Sequence, residues 1–141
     1  MQKFVSHSVS QTWQIAAELL SSMPDGGIIT LSGEMGAGKT AFAQGIALAL
    51  GISRPVASPT FTLVSEYSLA DGRKLVHMDL YRIHSPDDLL AIGFTEYLQP
   101  GNIVVIEWPE RGGDAIPSNA MSINITLGAE PNERVIEVIE Y

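Results

Sequence analysis

Gly33-Glu34-Met35-Gly36-Ala37-Gly38-Lys39-Thr40 follows the pattern G-x-x-x-x-G-K-[ST]. Glycines let such a loop take positive φ and turn its backbone N–H groups inward, so that several donors and the positive end of the following helix converge on phosphate oxygens. Lys39 supplies a mobile cation for the β- and γ-phosphates, and the Thr40 hydroxyl suits Mg²⁺, a hard ion that takes oxygen ligands. The chemistry expected here is binding of a nucleoside polyphosphate, with phosphoryl chemistry to follow.

Such a site also needs an acid at the end of a neighbouring strand. Glu107 ends the unbroken apolar run Ile103-Val104-Val105-Ile106, the pattern of a strand buried on both faces beside the loop-bearing strand. Asp79 ends Leu75-Val76-His77-Met78, where polar and apolar residues alternate as in a half-exposed antiparallel strand. Glu107 is therefore the expected Mg²⁺ acid, and Asp79 is expected to orient water or support the ion from further out. His77 and Asp79 share a strand face but lack a third ligand nearby, so a separate metal site is not expected. Trp108 reads as a half-buried aromatic, and Arg54, Arg82 and Arg111 as isolated surface cations.

The elements that must hold these residues are visible in the periodicity. Ile28 to Leu31 is a short apolar strand feeding into the glycines, and Phe42, Ile46, Ala49 and Leu50 recur at helical spacing until Gly51. Upstream, Ile15, Ala16, Leu19, Leu20 and Met23 predict an amphipathic helix over 11–23, with Ser8 and Gln11 placed for a capping box. Downstream, a hairpin turning at Asp71-Gly72 joins the Val64 to Tyr67 stretch to Lys74 to Leu80. Ser85-Pro86 opens a short helix that Gly93 ends, and a last hairpin runs from Ser122 to Leu127 and Arg134 to Ile139. The fold class expected is α/β: a P-loop NTPase-like three-layer sandwich with a mixed, largely parallel central sheet and added antiparallel hairpins.

With 141 residues, 45% of them hydrophobic, the chain suits one compact domain, 1–141. Eight Lys and Arg against 16 Asp and Glu give a formal charge of −8, the wrong sign for gripping a phosphate backbone unaided. Zero cysteines remove disulfides and thiolate metal sites. Met1 to Trp13 has neither the basic nor the apolar region of a secretory signal, and no apolar run is long enough to span a bilayer. A cytoplasmic protein without a membrane role is expected.

Three further ordered runs, Ser58-Pro59-Thr60-Phe61-Thr62-Leu63-Val64, His77-Met78-Asp79-Leu80-Tyr81-Arg82 and Val105-Ile106-Glu107-Trp108-Pro109-Glu110, together with the phosphate loop, resemble the TsaE (YjeE) family of bacterial tRNA threonylcarbamoyladenosine biosynthesis ATPases over nearly the whole chain. The resemblance implies a small P-loop protein that binds ATP or ADP with Mg²⁺ and works with the partner proteins TsaD and TsaB. In that scheme the partners place a threonylcarbamoyl group on the adenosine 3′ of the anticodon, TsaD carries the transfer chemistry, and this subunit drives assembly and resetting. Contact with tRNA is indirect.

By resemblance, Thr12 falls where the family contacts the nucleotide, Thr40 and Glu107 fall on its Mg²⁺ positions, and Ser58 to Val64 resembles its switch I. The expected nucleotide-binding set is thus Thr12, Gly33, Glu34, Met35, Gly36, Ala37, Gly38, Lys39, Thr40 and Ala41, with Lys39, Asp79 and Glu107 as candidate catalytic residues. Asp79, Thr60 and Thr62 are alternatives for aligning the attacking water. Ala41 stands where many members have Thr or Ser, Glu34 where Asp is commoner, and Met35 where Leu is commoner; none of these threatens ATP binding. A small-molecule kinase would use the same loop, but the arginines do not cluster into a lid. A guanine-reading N-K-x-D run is also missing.

Overall fold

A computed structural model describes residues 2–34, 36–52 and 63–140. Seven strands form one sheet: β1 (Gln2–Ser6), β2 (Gly27–Ser32), β3 (Val64–Ser68), β4 (Lys74–Asp79), β5 (Ile103–Glu107), β6 (Met121–Leu127) and β7 (Arg134–Glu140). Their order is β1-β7-β6-β2-β5-β4-β3. The four central strands, β6, β2, β5 and β4, are parallel neighbours, and the three outer pairings are antiparallel. β-branched residues on every position of Ile103-Val104-Val105-Ile106 suit the middle of such a sheet, where both faces are covered.

Two helices cover one face: α1 (Val9–Leu20) and α2 (Lys39–Ala49). Ala16, Leu19, Phe42 and Ile46 from these helices join Ile29, Leu31, Ile103 and Val105 from the strands in one core. Against the other face, Leu89 of the short helix α3 (Pro86–Ala91) and Phe94 of a following 3₁₀ turn meet Val76, Met78, Val104 and Ile106. The result is the three-layer α/β sandwich that the sequence predicts, with a parallel centre and antiparallel hairpins at both edges. Among the described residues no helix is long and apolar enough to cross a membrane.

α1 starts at its predicted cap, Ser8, with the return bond of the capping box made one residue earlier, to His7. Ser8 Oγ accepts the Gln11 N–H at 3.1 Å, while Gln11 Oε1 reaches back to accept the His7 N–H at 2.6 Å. The helix stops at Leu20 rather than Met23, because Ser22 and Met23 donate their N–H groups to carbonyls three residues back and tighten the last turn. Met23 is still buried, so the apolar periodicity extends past the helix that it predicts.

β4 is the larger correction. It is not the half-exposed strand that alternation suggests: Leu75, Val76, His77 and Met78 are all buried. β4 lies between β5, to which it is parallel, and β3, to which it is antiparallel. The polar member of the run, His77, finds its partner inside the protein through Nε2, as described below, while its buried Nδ1 has no hydrogen-bond partner among the described residues.

α1 and α2 cross closely because α2 has a glycine at the contact. A Cβ on Gly45 would lie 2.7 Å from Trp13 Cα and 2.9 Å from Ala16 Cβ. Gly45→Ala is expected to destabilise the protein despite alanine's better helix propensity. Overpacking of this kind costs about 1–3 kcal/mol, against about 1 kcal/mol of propensity gained. Urea unfolding should show a lower midpoint; an unchanged or higher one would mean that the helices separate freely.

Candidate functional site

The loop after β2 is shaped by its glycines. Gly33 has φ +150°, and a Cβ there would lie 2.3 Å from the Ile125 carbonyl oxygen of β6, so no other residue fits this approach. Gly38, at φ +111°, is the N-cap of α2 and has no side chain to cap the helix. The first turn of α2 contains no acidic residue. Its positive end therefore meets no compensating carboxylate from that turn, the arrangement expected of an anion cradle.

Lys39 is buried at the start of α2. Its Nζ donates to the Gly33 carbonyl at 2.8 Å and lies 3.8 Å from the centroid of the Trp108 ring. Burial holds the ammonium below its ordinary pKa, and the Glu107, Asp79 and Glu110 carboxylates pull it back up. Trp108 itself has φ +58°, a conformation uncommon for a non-glycine residue, and is followed by Pro109. That turn brings the indole over the lysine. Tyr81 packs against Trp108 with ring centroids 5.0 Å apart and planes tilted by 57°, and Arg111 Cζ lies 5.5 Å from the Tyr81 ring centroid.

Glu107 and Asp79 end adjacent parallel strands in register, and Glu107 is also paired with Leu31 at the end of β2. Both carboxylates thus stand at the carboxyl edge of the sheet next to the loop, the edge where open α/β sheets bind ligands. Glu107 Oε2 is 2.5 Å from His77 Nε2, and both side chains are almost fully buried. Asp79 Oδ1 accepts the Tyr81 N–H at 2.9 Å. Burial raises the Asp79 pKa; the Tyr81 hydrogen bond opposes the rise, and the Glu107 charge adds to it.

The raised Asp79 pKa has a stability consequence. The folded protein binds the Asp79 proton more tightly than the unfolded chain does, so ionising Asp79 costs stability as pH rises past the ordinary carboxylate range. Asp79→Asn keeps an oxygen for the Tyr81 N–H and removes that charge. In nucleotide- and metal-free buffer it is expected to raise Tm at pH 7–8 by on the order of a degree or two, with the gain vanishing below about pH 4. Thermal unfolding across pH checks this, and a Tm loss at neutral pH would contradict it.

The predicted residues separate into groups. Gly33, Gly36, Ala37, Gly38, Lys39, Thr40 and Ala41 surround the loop and the start of α2, and Glu34 is exposed at its rim. Thr40 is exposed, whereas Thr12 is buried at the start of α1, with its Oγ1 2.7 Å from Ser6 Oγ. Met35, Thr60, Thr62 and most of the Ser58 to Val64 segment lie outside the described residues. Sequence reasoning missed the His77–Glu107 pair and the indole above Lys39. The spacing of His77 from Asp79 placed both on one strand face, but the parallel register that brings His77 to Glu107 is visible only in the fold.

The residues present suit a Mg²⁺-nucleotide. Lys39 and the helix end without a side-chain cap offer positive charge, and among the described residues nothing lies within 4 Å of a Cβ position on Gly36. The Asp79 and Glu107 carboxylates and the Thr40 hydroxyl are hard oxygen donors.

A mixed sheet with a parallel centre, whose central strand runs through a glycine-rich loop into a helix, with a buried lysine near two strand-end carboxylates, defines a P-loop nucleotide-binding fold. The profile of the family "Threonylcarbamoyl adenosine biosynthesis protein TsaE" matches residues 6–136, and the chain belongs to this family. It is 36% identical over 132 residues to the tRNA threonylcarbamoyladenosine biosynthesis protein TsaE of Treponema pallidum, covering 93% of this chain and 96% of that one. The Bacillus subtilis TsaE is 35% identical over 126 residues, covering 89% and 77% of the two chains. Among solved structures, Bacillus subtilis YdiB superposes with a TM-score of 0.74 at 30% identity, covering 96% of this chain and 82% of that one.

Proposed function

We propose that this chain is a Mg²⁺-dependent ATPase subunit serving threonylcarbamoyl modification of the adenosine next to the anticodon in tRNA, in the cytoplasm, together with TsaD and TsaB. The observation that carries the ATPase reading is Lys39 at the phosphate loop facing the in-register pair Asp79 and Glu107. Family membership carries the pathway. Residues 1–141 act as one ATPase domain.

In this reading the loop amides from Gly33 to Ala41 and Lys39 hold ATP or ADP. Thr40 and Glu107 would hold the Mg²⁺, which would supply neutralisation of phosphate charge. Lys39, held by the Gly33 carbonyl and over the Trp108 ring, would offer its ammonium to phosphate oxygens. His77 fixes the orientation of the Glu107 carboxylate through Nε2, and Asp79, partly buried and of raised pKa, is placed to orient or accept a proton from water. Thr12, with its hydroxyl turned to Ser6, contributes to the nucleotide site by shaping its wall.

The chain's formal charge of −8 makes its long-range field repel a polyanion, so tRNA is reached through the partners. Nucleotide affinity, hydrolysis and tRNA mobility shift, each measured with and without TsaD, TsaB and tRNA, test the proposal. The isolated chain is expected to bind Mg-ATP and leave tRNA unshifted at micromolar concentration and low salt, with hydrolysis rising when the partners are added. A tRNA shift by the chain alone, or hydrolysis indifferent to partners, would contradict it.

A further inference from the structure

His77 lies on β4 two residues before Asp79, and the parallel register sets it opposite Val105, so that Glu107 is its diagonal neighbour on the same face of the sheet. Imidazole and carboxylate meet along that diagonal, with Glu107 Oε2 2.5 Å from His77 Nε2. The His77 and Glu107 side chains are only 1% and 4% exposed, so water does not compete for the contact.

The other ring nitrogen settles the direction of the bond. Nδ1 is buried and has no partner among the described residues. A hydrogen on Nδ1 would be a buried donor with nothing to receive it, whereas a lone pair there leaves only an acceptor unmet. The hydrogen is therefore assigned to Nε2, which donates to Glu107 Oε2. So short a bond to a carboxylate holds the group in one orientation and draws charge from Oε2. A cation approaching Glu107 is then met by Oε1 alone rather than by both oxygens.

Divalent cations differ in what they ask of a carboxylate. Mg²⁺ demands near-ideal octahedral geometry at about 2.0–2.1 Å and keeps several waters, which one oxygen satisfies. Ca²⁺ takes about six to eight oxygens at about 2.3–2.6 Å in flexible geometry and readily accepts both oxygens of one carboxylate.

We propose that His77 is a specificity-determining positioning residue: by holding Oε2 it confines Glu107 to one-oxygen coordination and biases the nucleotide site toward Mg²⁺ and against Ca²⁺. This role rests on the Mg²⁺-nucleotide reading above. A group hydrogen-bonded to a metal ligand sets that ligand's orientation and basicity, and losing it costs about 10- to 100-fold in metal affinity.

Titration calorimetry of the full chain with a non-hydrolysable ATP analogue, as its Mg²⁺ complex, as its Ca²⁺ complex and metal-free in chelator, reads this without turnover. The wild type is expected to bind the Mg²⁺ complex more tightly than the Ca²⁺ complex. His77→Asn, whose amide stands near the Nδ1 position and away from Glu107, is expected to lower that Mg²⁺-to-Ca²⁺ ratio by about tenfold or more, with the metal-free analogue within about twofold of wild type. His77→Gln, whose amide N–H reaches the Nε2 position, is expected to keep most of the ratio. An unchanged ratio in His77→Asn overturns the proposal, as does an equal loss for all three ligands, which would make His77 a packing residue. If His77→Asn does not fold, nitrogen-15 NMR of the wild-type ring decides: a hydrogen on Nε2 supports the proposal and one on Nδ1 overturns it. A wild-type chain that binds no form of the analogue overturns the phosphate-loop reading itself, a failure distinct from the others.

Discussion

Lys39→Ala is expected to lower nucleotide affinity by about 10- to 100-fold, the loss that goes with removing a charged hydrogen-bonding partner worth about 1.5–3 kcal/mol. Lys39 is held inside the loop by the Gly33 carbonyl and the Trp108 ring, at a cost in solvation that Glu107, Asp79 and Glu110 partly offset. A phosphate oxygen replaces a neutral carbonyl with an anion, so the ammonium interacts more strongly with bound nucleotide than with the free site. Removing it leaves three carboxylates with less compensation, which repels phosphate further. Because the same removal relieves a desolvated cation, the fold should persist, and Lys39→Met, which keeps the stem over Trp108, controls for packing. Calorimetry showing unchanged affinity in a folded variant would contradict the assignment.

The second large effect is expected at the strand-end acids. Glu107→Gln should raise the Mg²⁺ concentration needed for half-maximal hydrolysis by about tenfold or more, because a neutral amide is a poor ligand for a hard dication. The substitution is structurally mild: the Gln oxygen still accepts from His77 Nε2, so the buried pair keeps its hydrogen bond. Asp79→Asn should instead lower the maximal rate while leaving the Mg²⁺ requirement closer to that of the wild type. Asp79 is the less buried of the two and is bound to the Tyr81 N–H, a geometry suited to water. Steady-state rates over a Mg²⁺ series decide this; if only Asp79→Asn shifts the Mg²⁺ requirement, the two roles exchange.

Much of this site was legible in the sequence because its geometry is local. Gly33 to Thr40 lies between a strand and a helix that both announce themselves, and Glu107 follows the apolar run of a central strand. What escaped is non-local. His77 looked like the polar half of an alternating strand; in the fold β4 is buried between β5 and β3, and the parallel register brings His77 to Glu107. Trp108 reaches Lys39 through a single residue of positive φ ahead of a proline, which no periodicity encodes. The end of α1 was missed for the opposite reason: Met23 is core without being helical.

We propose that nucleotide turnover at this loop serves threonylcarbamoyl transfer to tRNA. It is tested most directly by supplying the wild-type chain, or Lys39→Ala, to TsaD, TsaB, tRNA, ATP, Mg²⁺ and a threonylcarbamoyl donor, and counting modified adenosines per TsaD. Many modifications per TsaD are expected with the wild-type chain and few or none with the variant. Equal yields from the two, or a yield that does not depend on adding the chain, would contradict it.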